Sequence, residues 1–155
     1  MPRANSRQAA NKLAKEIISL NKIWPLIPPP VKIFTPQIIH DLDDFYKKIY
    51  FIGKKLSKTD RYGLWLEIQK EGLISLKISI QAAFSPKKEK TKILSTLPLE
   101  IEILKYLVRL AGEIHIINDE KYLALEQKLQ NISKGANGWL AYSRTEDDKI
   151  AKELE

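Results

Sequence analysis

Four apolar stripes at helical spacing, separated by short polar turns, constrain the fold of this chain more than any other feature. The first stripe begins after Thr35-Pro36 and ends near Leu56, in alternating steps of four and three residues, as in an amphipathic helix. Thr35-Pro36 and Ser85-Pro86 each place a capping residue before a proline, which is a typical start signal for a helix. No segment has the two-residue alternation of a strand. The pattern predicts an all-α fold, an antiparallel up-down-up-down four-helix bundle.

Three further helices follow from the same periodicity. The second follows Ser57, which with Asp60 three residues later approximates a capping box, and it stops at Phe84. It has apolar residues on more than one face; its main stripe comprises Tyr62, Leu66, Gln69, Leu73, Leu76, Ile80 and Ala83. Either this helix lies at the centre of a bundle, or another copy of the chain covers its second face. The third runs to about Ile117, and its stripe comprises Leu94, Leu97, Ile101, Leu104, Val108 and Ala111. A kink or break is expected at Pro98, because proline removes a hydrogen bond and clashes with an earlier carbonyl. Asn118 is the predicted cap of the fourth, whose stripe comprises Tyr122, Leu125, Leu129, Ile132, Ala136 and Trp139.

Five glycines fall inside these predicted helices, namely Gly63, Gly72, Gly112, Gly135 and Gly138. Each costs about 1 kcal/mol relative to alanine in a helix interior, so a packing reason is expected. Close approach of two helices is the usual reason, either within one bundle or between subunits.

Charge divides the chain into three regions. Residues 1–35 carry six basic residues and one acid and end in a proline-rich stretch, so we interpret them as a basic N-terminal arm. Within this arm, residues 8–22 have the spacing of a short amphipathic helix. Residues 36–145 form the four-helix bundle, and residues 146–155 are an acidic C-terminal tail. The whole chain has 26 Lys and Arg against 19 Asp and Glu, a net charge of +7, which favours an anionic partner.

Sequence motifs of enzyme active sites and bound cofactors are missing. The chain has no cysteine, which excludes disulfides, thiolate metal sites and cysteine nucleophiles. Its two histidines, His40 and His115, form no metal-binding or catalytic pair, and no glycine-rich phosphate-binding motif occurs. The acidic stretch at residues 41–44 lacks the glycine and the distal glutamate of a calcium loop. We therefore expect a protein that is not an enzyme and that binds no cofactor or metal ion.

Basic side chains are the remaining candidates for a functional site, and they form three groups. The first comprises Lys54, Lys55, Lys58 and Arg61, the second Lys87, Lys88, Lys90 and Lys92, and the third Lys105 and Arg109. Each group is either a nucleic-acid or partner-binding site or only a solvated helix face; repetition in an oligomer would join weak patches into one positive surface. Tyr62 and Trp65 lie near Arg61 in sequence, and their helical phase predicts positions in the core or an interface rather than a role in base stacking.

Several short motifs occur in the order found in one protein group. Phe51 and Lys55 are followed by RYGL, which begins at Arg61, and by ISKGANGWLAYSR, which begins at Ile132. In this order they resemble the small four-helix-bundle proteins related to the 23S rRNA intervening-sequence protein. Within that group, the stretch at residues 82–111 more closely resembles the accessory variability determinants (Avd) of diversity-generating retroelements. The resemblance covers about residues 36–144.

The resemblance implies a homopentameric barrel of four-helix bundles without catalytic activity. It implies binding to the reverse transcriptase of the retroelement and to its template RNA, with DNA as a second candidate, in support of mutagenic retrohoming. A neighbouring subunit would then cover the second apolar face of the second helix. The basic residues of the family correspond to Arg61, Lys87, Lys88, Lys105 and Arg109 as expected contacts.

Two other expectations complete the functional hypotheses. The alternative function is that of a structural, self-assembling four-helix-bundle protein of the rRNA intervening-sequence group, with no role in a retroelement. No apolar run reaches the roughly 18 residues of a membrane span, and the N-terminus does not have the pattern of a secretory signal. We therefore expect a cytoplasmic protein that has no membrane partner.

Overall fold

The computed structural model describes residues 6–23 and 36–154. The chain divides into two units, Met1–Phe34 and Thr35–Glu155, which are considered separately. The described residues contain α1 (Ser6–Ile23), α2 (Gln37–Lys54), α3 (Lys58–Tyr62), α4 (Leu64–Phe84), α5 (Lys87–Leu94), α6 (Leu97–Glu113) and α7 (Asp119–Glu153), and they contain no strand. The predicted all-α class is therefore confirmed.

The first unit contains the helix that was predicted in the basic arm. Helix α1 spans Ser6–Ile23 and so includes the whole of predicted residues 8–22. Its side chains at residues 8–16 are exposed, including Leu13. The proline-rich stretch and Thr35, which was predicted to cap the next helix, lie outside the described residues.

Helix α2 buries the stripe that its periodicity predicted. Its buried apolar side chains are Ile38, Leu42, Phe45, Ile49 and Ile52. Pro36 occupies the N-cap position, and its carbonyl accepts a hydrogen bond from the backbone N–H of Ile39 at 3.0 Å. The helix ends at Lys54, two residues before the predicted end.

The predicted second helix is divided into the short α3 and the long α4. The N-cap of α3 is Ser57, whose Oγ accepts a hydrogen bond from the backbone N–H of Asp60 at 3.2 Å, which confirms the predicted cap. Gly63 separates the two helices, so the prediction that it lies inside a helix is wrong. A Cβ at this position would lie 2.9 Å from the carbonyl oxygen of Thr59, so only glycine fits the tight junction.

Helix α4 turns a different face to the core from the one that its large apolar residues predicted. Its buried residues are Trp65, Ile68, Gly72, Ser75, Ser79 and Ala82. The predicted main stripe is wrong as a core face, since Leu73 and Ile80 remain 40% exposed. The reason is the bulk of α2: a Cβ added at Gly72 would already lie 3.4 Å from Ile49 Cδ1, so small residues are needed there.

The predicted third helix breaks where its proline requires. Helix α5 ends at Leu94 and α6 begins at Leu97, so Pro98 lies in the first turn of α6, where its missing N–H costs nothing. The start of α5 differs slightly from the prediction, because the Ser85 hydroxyl donates to the carbonyl of Gln81 at 2.6 Å instead of capping α5. The predicted stripe is confirmed: Leu94, Leu97, Ile101, Leu104, Val108 and Ala111 are all fully buried.

A tight turn connects α6 with α7. His115 has a positive φ of 61°. Its N–H donates a hydrogen bond to the carbonyl of Gly112 at 3.1 Å, and the N–H of Ile116 donates one to the carbonyl of Ala111 at 2.9 Å. This pair of hydrogen bonds is the Schellman motif, in which glycine usually occupies the position of His115. Asn118 then caps α7, since its Oδ1 accepts from the N–H of Lys121 at 2.9 Å, as predicted.

Helix α7 extends through the region predicted as an acidic tail. Four of the predicted stripe residues are buried, namely Leu125, Leu129, Ile132 and Ala136, and residues 146–153 continue the helix. Helix α2 packs against α4 and α7, and α6 packs against the same two helices. Helix α5 also contacts both α4 and α7. One hydrophobic core lies within this helical bundle.

Candidate nucleic-acid interface

The first basic group lies at the connection between α2 and α4. Lys54 is the last residue of α2, Lys55 is its C-cap, and Lys58 is the first residue of α3. All three side chains are exposed. They also lie at the negative end of the α2 dipole, where cations are favoured.

Arg61, the fourth member of the first group, is engaged with the end of α2. Its Nε donates to the carbonyl of Gly53 at 2.9 Å, and its Nη2 donates to the carbonyl of Lys54 and, at 3.4 Å, to that of Leu56. These carbonyls lie in or just beyond the last turn of α2, where intrahelical donors run out. The guanidinium therefore caps α2 from the following helix.

A second side chain holds the same helix end. Trp65 is fully buried, as its phase predicted, and its Nε1 donates to the carbonyl of Ile49 at 2.9 Å. A Cβ at Gly53 would lie only 2.7 Å from that nitrogen, so glycine is needed for the ring to reach α2. Sequence reasoning missed Gly53, because its partner lies in the next helix and no local pattern marks the contact.

Exposed aromatic rings accompany the first basic group. Tyr50, Phe51 and Tyr62 are 42%, 61% and 63% exposed, so Tyr62 does not enter the core of the bundle. The Lys54 ammonium lies 5.1 Å from the centre of the Tyr50 ring and 5.8 Å from that of Phe51, within the range of cation–π attraction. Tyr50, Lys54, Arg61 and Tyr62 also line a cavity of about 260 Å³.

The second basic group lies on α5 and faces the acidic end of α7. Lys87, Lys88 and Lys92 are exposed, whereas Lys90 is half-buried. Lys87 Nζ is 3.9 Å from Glu146 Oε2, a weak and exposed ion pair. The acids in the last turns of α7 therefore reduce the positive potential of this group.

In the third basic group, Lys105 is paired with an acid. Lys105 has only 14% of its side chain exposed, and its Nζ lies 2.8 Å from Glu102 Oε1. Arg109 is exposed and lines a cavity of about 370 Å³ together with Glu113 and Asp119. Glu102 therefore offsets the charge of Lys105, whereas Arg109 lies near acids but forms no ion pair within the described residues.

One chain keeps the first and second basic groups apart. Helix α4 has 21 residues, a length of about 30 Å at roughly 1.5 Å per residue. The first group lies before the start of α4 and the second follows its end. The first and second of the three predicted basic groups are therefore separate on a single bundle.

Comparison with known proteins identifies the family. The bAvd-like family model matches residues 37–143, which is more than two thirds of the chain. The chain belongs to the bAvd-like family. This confirms the resemblance to the accessory variability determinants that was found in the sequence. No curated protein and no solved structure gives a significant match.

The matched region of this bAvd-like chain contains all ten candidate basic residues. Helix α1 lies outside it, as does the acidic end of α7. In the part of the chain that the structure describes, no three acidic or histidine side chains gather into a possible metal site. None of the helices found there is both long and apolar enough to cross a membrane.

The bAvd-like bundle also exposes two apolar stripes on the neighbouring helices α4 and α6. Those on α4 are Leu73, Ile74, Ile80 and Phe84, and those on α6 are Leu99, Ile103, Tyr106 and Ile114. Large exposed apolar patches of this kind commonly mark protein–protein contacts.

Two carboxyl groups interact between the same two helices, that of Glu71 on α4 and that of Glu100 on α6. Burial raises the pKa of Glu71 on α4, and interaction with Glu100 on α6 raises it further. Glu71 Oε2 is buried and has no hydrogen-bond donor. Protonation of Glu71 would supply the missing donor between the two carboxyl groups.

Proposed function

We propose that the protein is a non-catalytic accessory factor of a diversity-generating retroelement. In this role it binds the reverse transcriptase and the template RNA through its basic surface and so supports mutagenic retrohoming. The observation that carries the proposal is the bAvd-like match over residues 37–143, which includes every candidate basic residue. The net charge of +7 supports an anionic partner.

Among the three basic groups, the first is the strongest candidate for contact with nucleic acid. Lys54, Lys55 and Lys58 are exposed, and the nearest acid in sequence, Asp60, accepts a hydrogen bond from Ser57 at 2.8 Å. The second group faces acids of α7, and Lys105 in the third is paired. Counterion release requires cations that phosphates can reach, which favours the first group.

The proposed assembly is a homopentamer of antiparallel up-down-up-down bundles. The antiparallel order of α2 and α4 is supported by two contacts, in which Gly53 meets Trp65 and Ile49 meets Gly72. For α6 and α7, the pairing of Glu102 with Ser133 and of Gly112 with Tyr122 supports the same order. The exposed stripes on α4 and α6 offer a surface that neighbouring subunits would cover.

The test measures binding of the protein to template RNA and to reverse transcriptase over a range of salt concentrations. Lys54→Gln, Lys55→Gln and Lys58→Gln together are expected to reduce the log–log salt slope by about 2, at roughly 0.7 per phosphate on single strands. The matched control replaces Lys47, Lys70 and Lys149, each of which is paired with an acid on its own helix. It removes the same charge and should leave the slope almost unchanged.

Two other results would redirect the proposal. Equal slopes for the two triple variants would show that the first basic group is not the contact surface, and the variant with all four lysines of α5 changed to glutamine would then test the second group. A protein that assembles but binds neither RNA nor reverse transcriptase would favour the alternative, a purely structural self-assembling bundle. Light scattering on the same samples reports the subunit number.

A further inference from the structure

We propose that Tyr50, Phe51 and Tyr62 form a stacking platform for unpaired bases. These rings and the first basic group make up the α2–α4 corner, which therefore binds single-stranded rather than duplex nucleic acid. This inference rests on the proposed function, because it specifies which form of nucleic acid the first basic group receives. It adds a contact with the bases to the contact with the phosphates.

The three rings lie at one corner and are available to a ligand. Tyr50 and Phe51 are neighbouring residues near the end of α2. Their ring centres lie 5.7 Å apart, and the rings meet edge to face at 78°. Tyr62 ends α3 and lines the same cavity as Tyr50. Phe51 and Tyr62 are more than half exposed, so a ligand can reach these side chains. Exposed aromatic rings within a positive groove are the usual platform for unpaired bases.

The lysines of the first basic group give the corner its preference for an anionic ligand. The Lys54 ammonium lies 5.1 and 5.8 Å from the centres of two rings, so a base that stacks on a ring face left open would bring its own phosphate close to this ammonium. Lys55 and Lys58 extend the positive charge along the connection to α3. A protein partner would need acidic side chains to match these lysines, whereas every nucleotide carries both a planar base and a negative charge.

Arg61 offsets the partial negative charge at the end of α2, which would otherwise repel phosphate. The unpaired carbonyls at the end of a helix carry a partial negative charge and repel anions. Here the guanidinium donates to the carbonyls of Gly53, Lys54 and Leu56. The helix end is thereby covered by a cation, and the lysines beside it keep their attraction for phosphate.

The cavity between the rings has room for a planar group. Tyr50 and Tyr62 line this cavity, which has a volume of about 260 Å³. Bases in a duplex are stacked on each other and do not present their faces to such a site. The corner therefore distinguishes unpaired from paired nucleic acid through access to the base face.

The test compares an oligouridylate of about 12 nucleotides, within the site size of single-strand binders, with the same backbone lacking its bases. The wild-type chain is expected to bind the base-bearing strand about tenfold more tightly at equal salt. Phe51→Leu and Tyr62→Leu keep apolar bulk but lose the ring face, so each should lose most of this preference while the salt slope stays unchanged. Tyr142→Leu is the matched control, since Tyr142 is 65% exposed but has Glu146 one turn away.

The outcomes separate this inference from the proposed function. Equal affinity for the two strands, with binding retained, would overturn the stacking platform and leave nucleic-acid binding intact. Absence of binding to either strand would overturn both. If Phe51→Leu and Tyr62→Leu keep the base preference but lose self-association or binding to reverse transcriptase, the corner is a protein interface and the inference is wrong.

Discussion

Replacement of Arg61 distinguishes a structural cation from a ligand-binding one. Two of its hydrogen bonds, to Gly53 and Lys54, are of normal or short length, and the bond to Leu56 is long at 3.4 Å. Hydrogen bonds from a charged donor contribute about 1.5–3 kcal/mol each, but carbonyls near the surface regain water when the donor is removed. We therefore expect Arg61→Gln to lower the free energy of unfolding by about 2 kcal/mol, which is less than the sum of the separate bonds.

A loss of this size is measurable by thermal unfolding followed by circular dichroism. For a domain of this size, about 2 kcal/mol corresponds to a fall in Tm of roughly 5–10 °C. Arg61→Lys keeps the charge but not the forked donor geometry, so it should recover only a small part of the loss. Lys58→Gln removes an exposed charge three residues away and should leave Tm unchanged.

The same variants tested for RNA binding complete the experiment. If Arg61 serves only as a cap, Arg61→Gln should retain the wild-type salt slope at temperatures where it is folded, whereas Lys58→Gln should reduce it. A wild-type Tm for Arg61→Gln together with a reduced salt slope would refute the reasoning, because it would show that the guanidinium is free for phosphate.

Four further substitutions test individual packing and charge relationships. Gly53→Ala should destabilise the fold by about 1–3 kcal/mol through collision with Trp65, whereas Gly138→Ala, where a Cβ meets nothing within 4 Å, should stabilise it by about 1 kcal/mol; equal effects in denaturant titrations would contradict the close approach. His115→Gly should raise stability by about 0.5–1 kcal/mol by relieving the positive φ, and a loss of stability would show that the imidazole makes a compensating contact. Because the pKa of Glu71 is raised in the folded chain, its contribution to stability is lost as pH rises from the ordinary pKa of 4.5 through the folded pKa. Glu71→Gln should therefore gain about 1 kcal/mol at neutral pH and nothing well below pH 4.5; a pH-independent difference would refute this.

Local signals in the sequence predicted most of the helix ends. Ser57 and Asn118 cap helices because their side-chain oxygens reach a backbone N–H three residues later, a contact that needs no tertiary structure. Pro98 marks the break before α6 for an equally local reason. Such predictions succeed because the interacting groups are only a few residues apart.

The buried face of α4 could not be predicted in the same way. Periodicity assumes that larger apolar residues point to the core, but Gly72 and Ser75 are buried here while Leu73 is not. The available space is set by Ile49 and its neighbours on α2, more than twenty residues away in sequence. A helix that packs closely on a bulky neighbour needs small residues, so its apolar pattern indicates the wrong face.

The RYGL stretch, one of those on which the resemblance was based, also holds the end of α2 in place. Within RYGL, Arg61 caps the helix and Gly63 permits the junction with α4, and Trp65 follows immediately and packs on Gly53. Each of these roles depends on one side-chain shape, so the residue types form a readable motif. Attraction of phosphate requires only charge density, which lysines supply at many positions, so the proposed contacts form no motif. A variant that breaks RYGL should therefore impair folding before binding, whereas lysine changes beside it should impair binding alone.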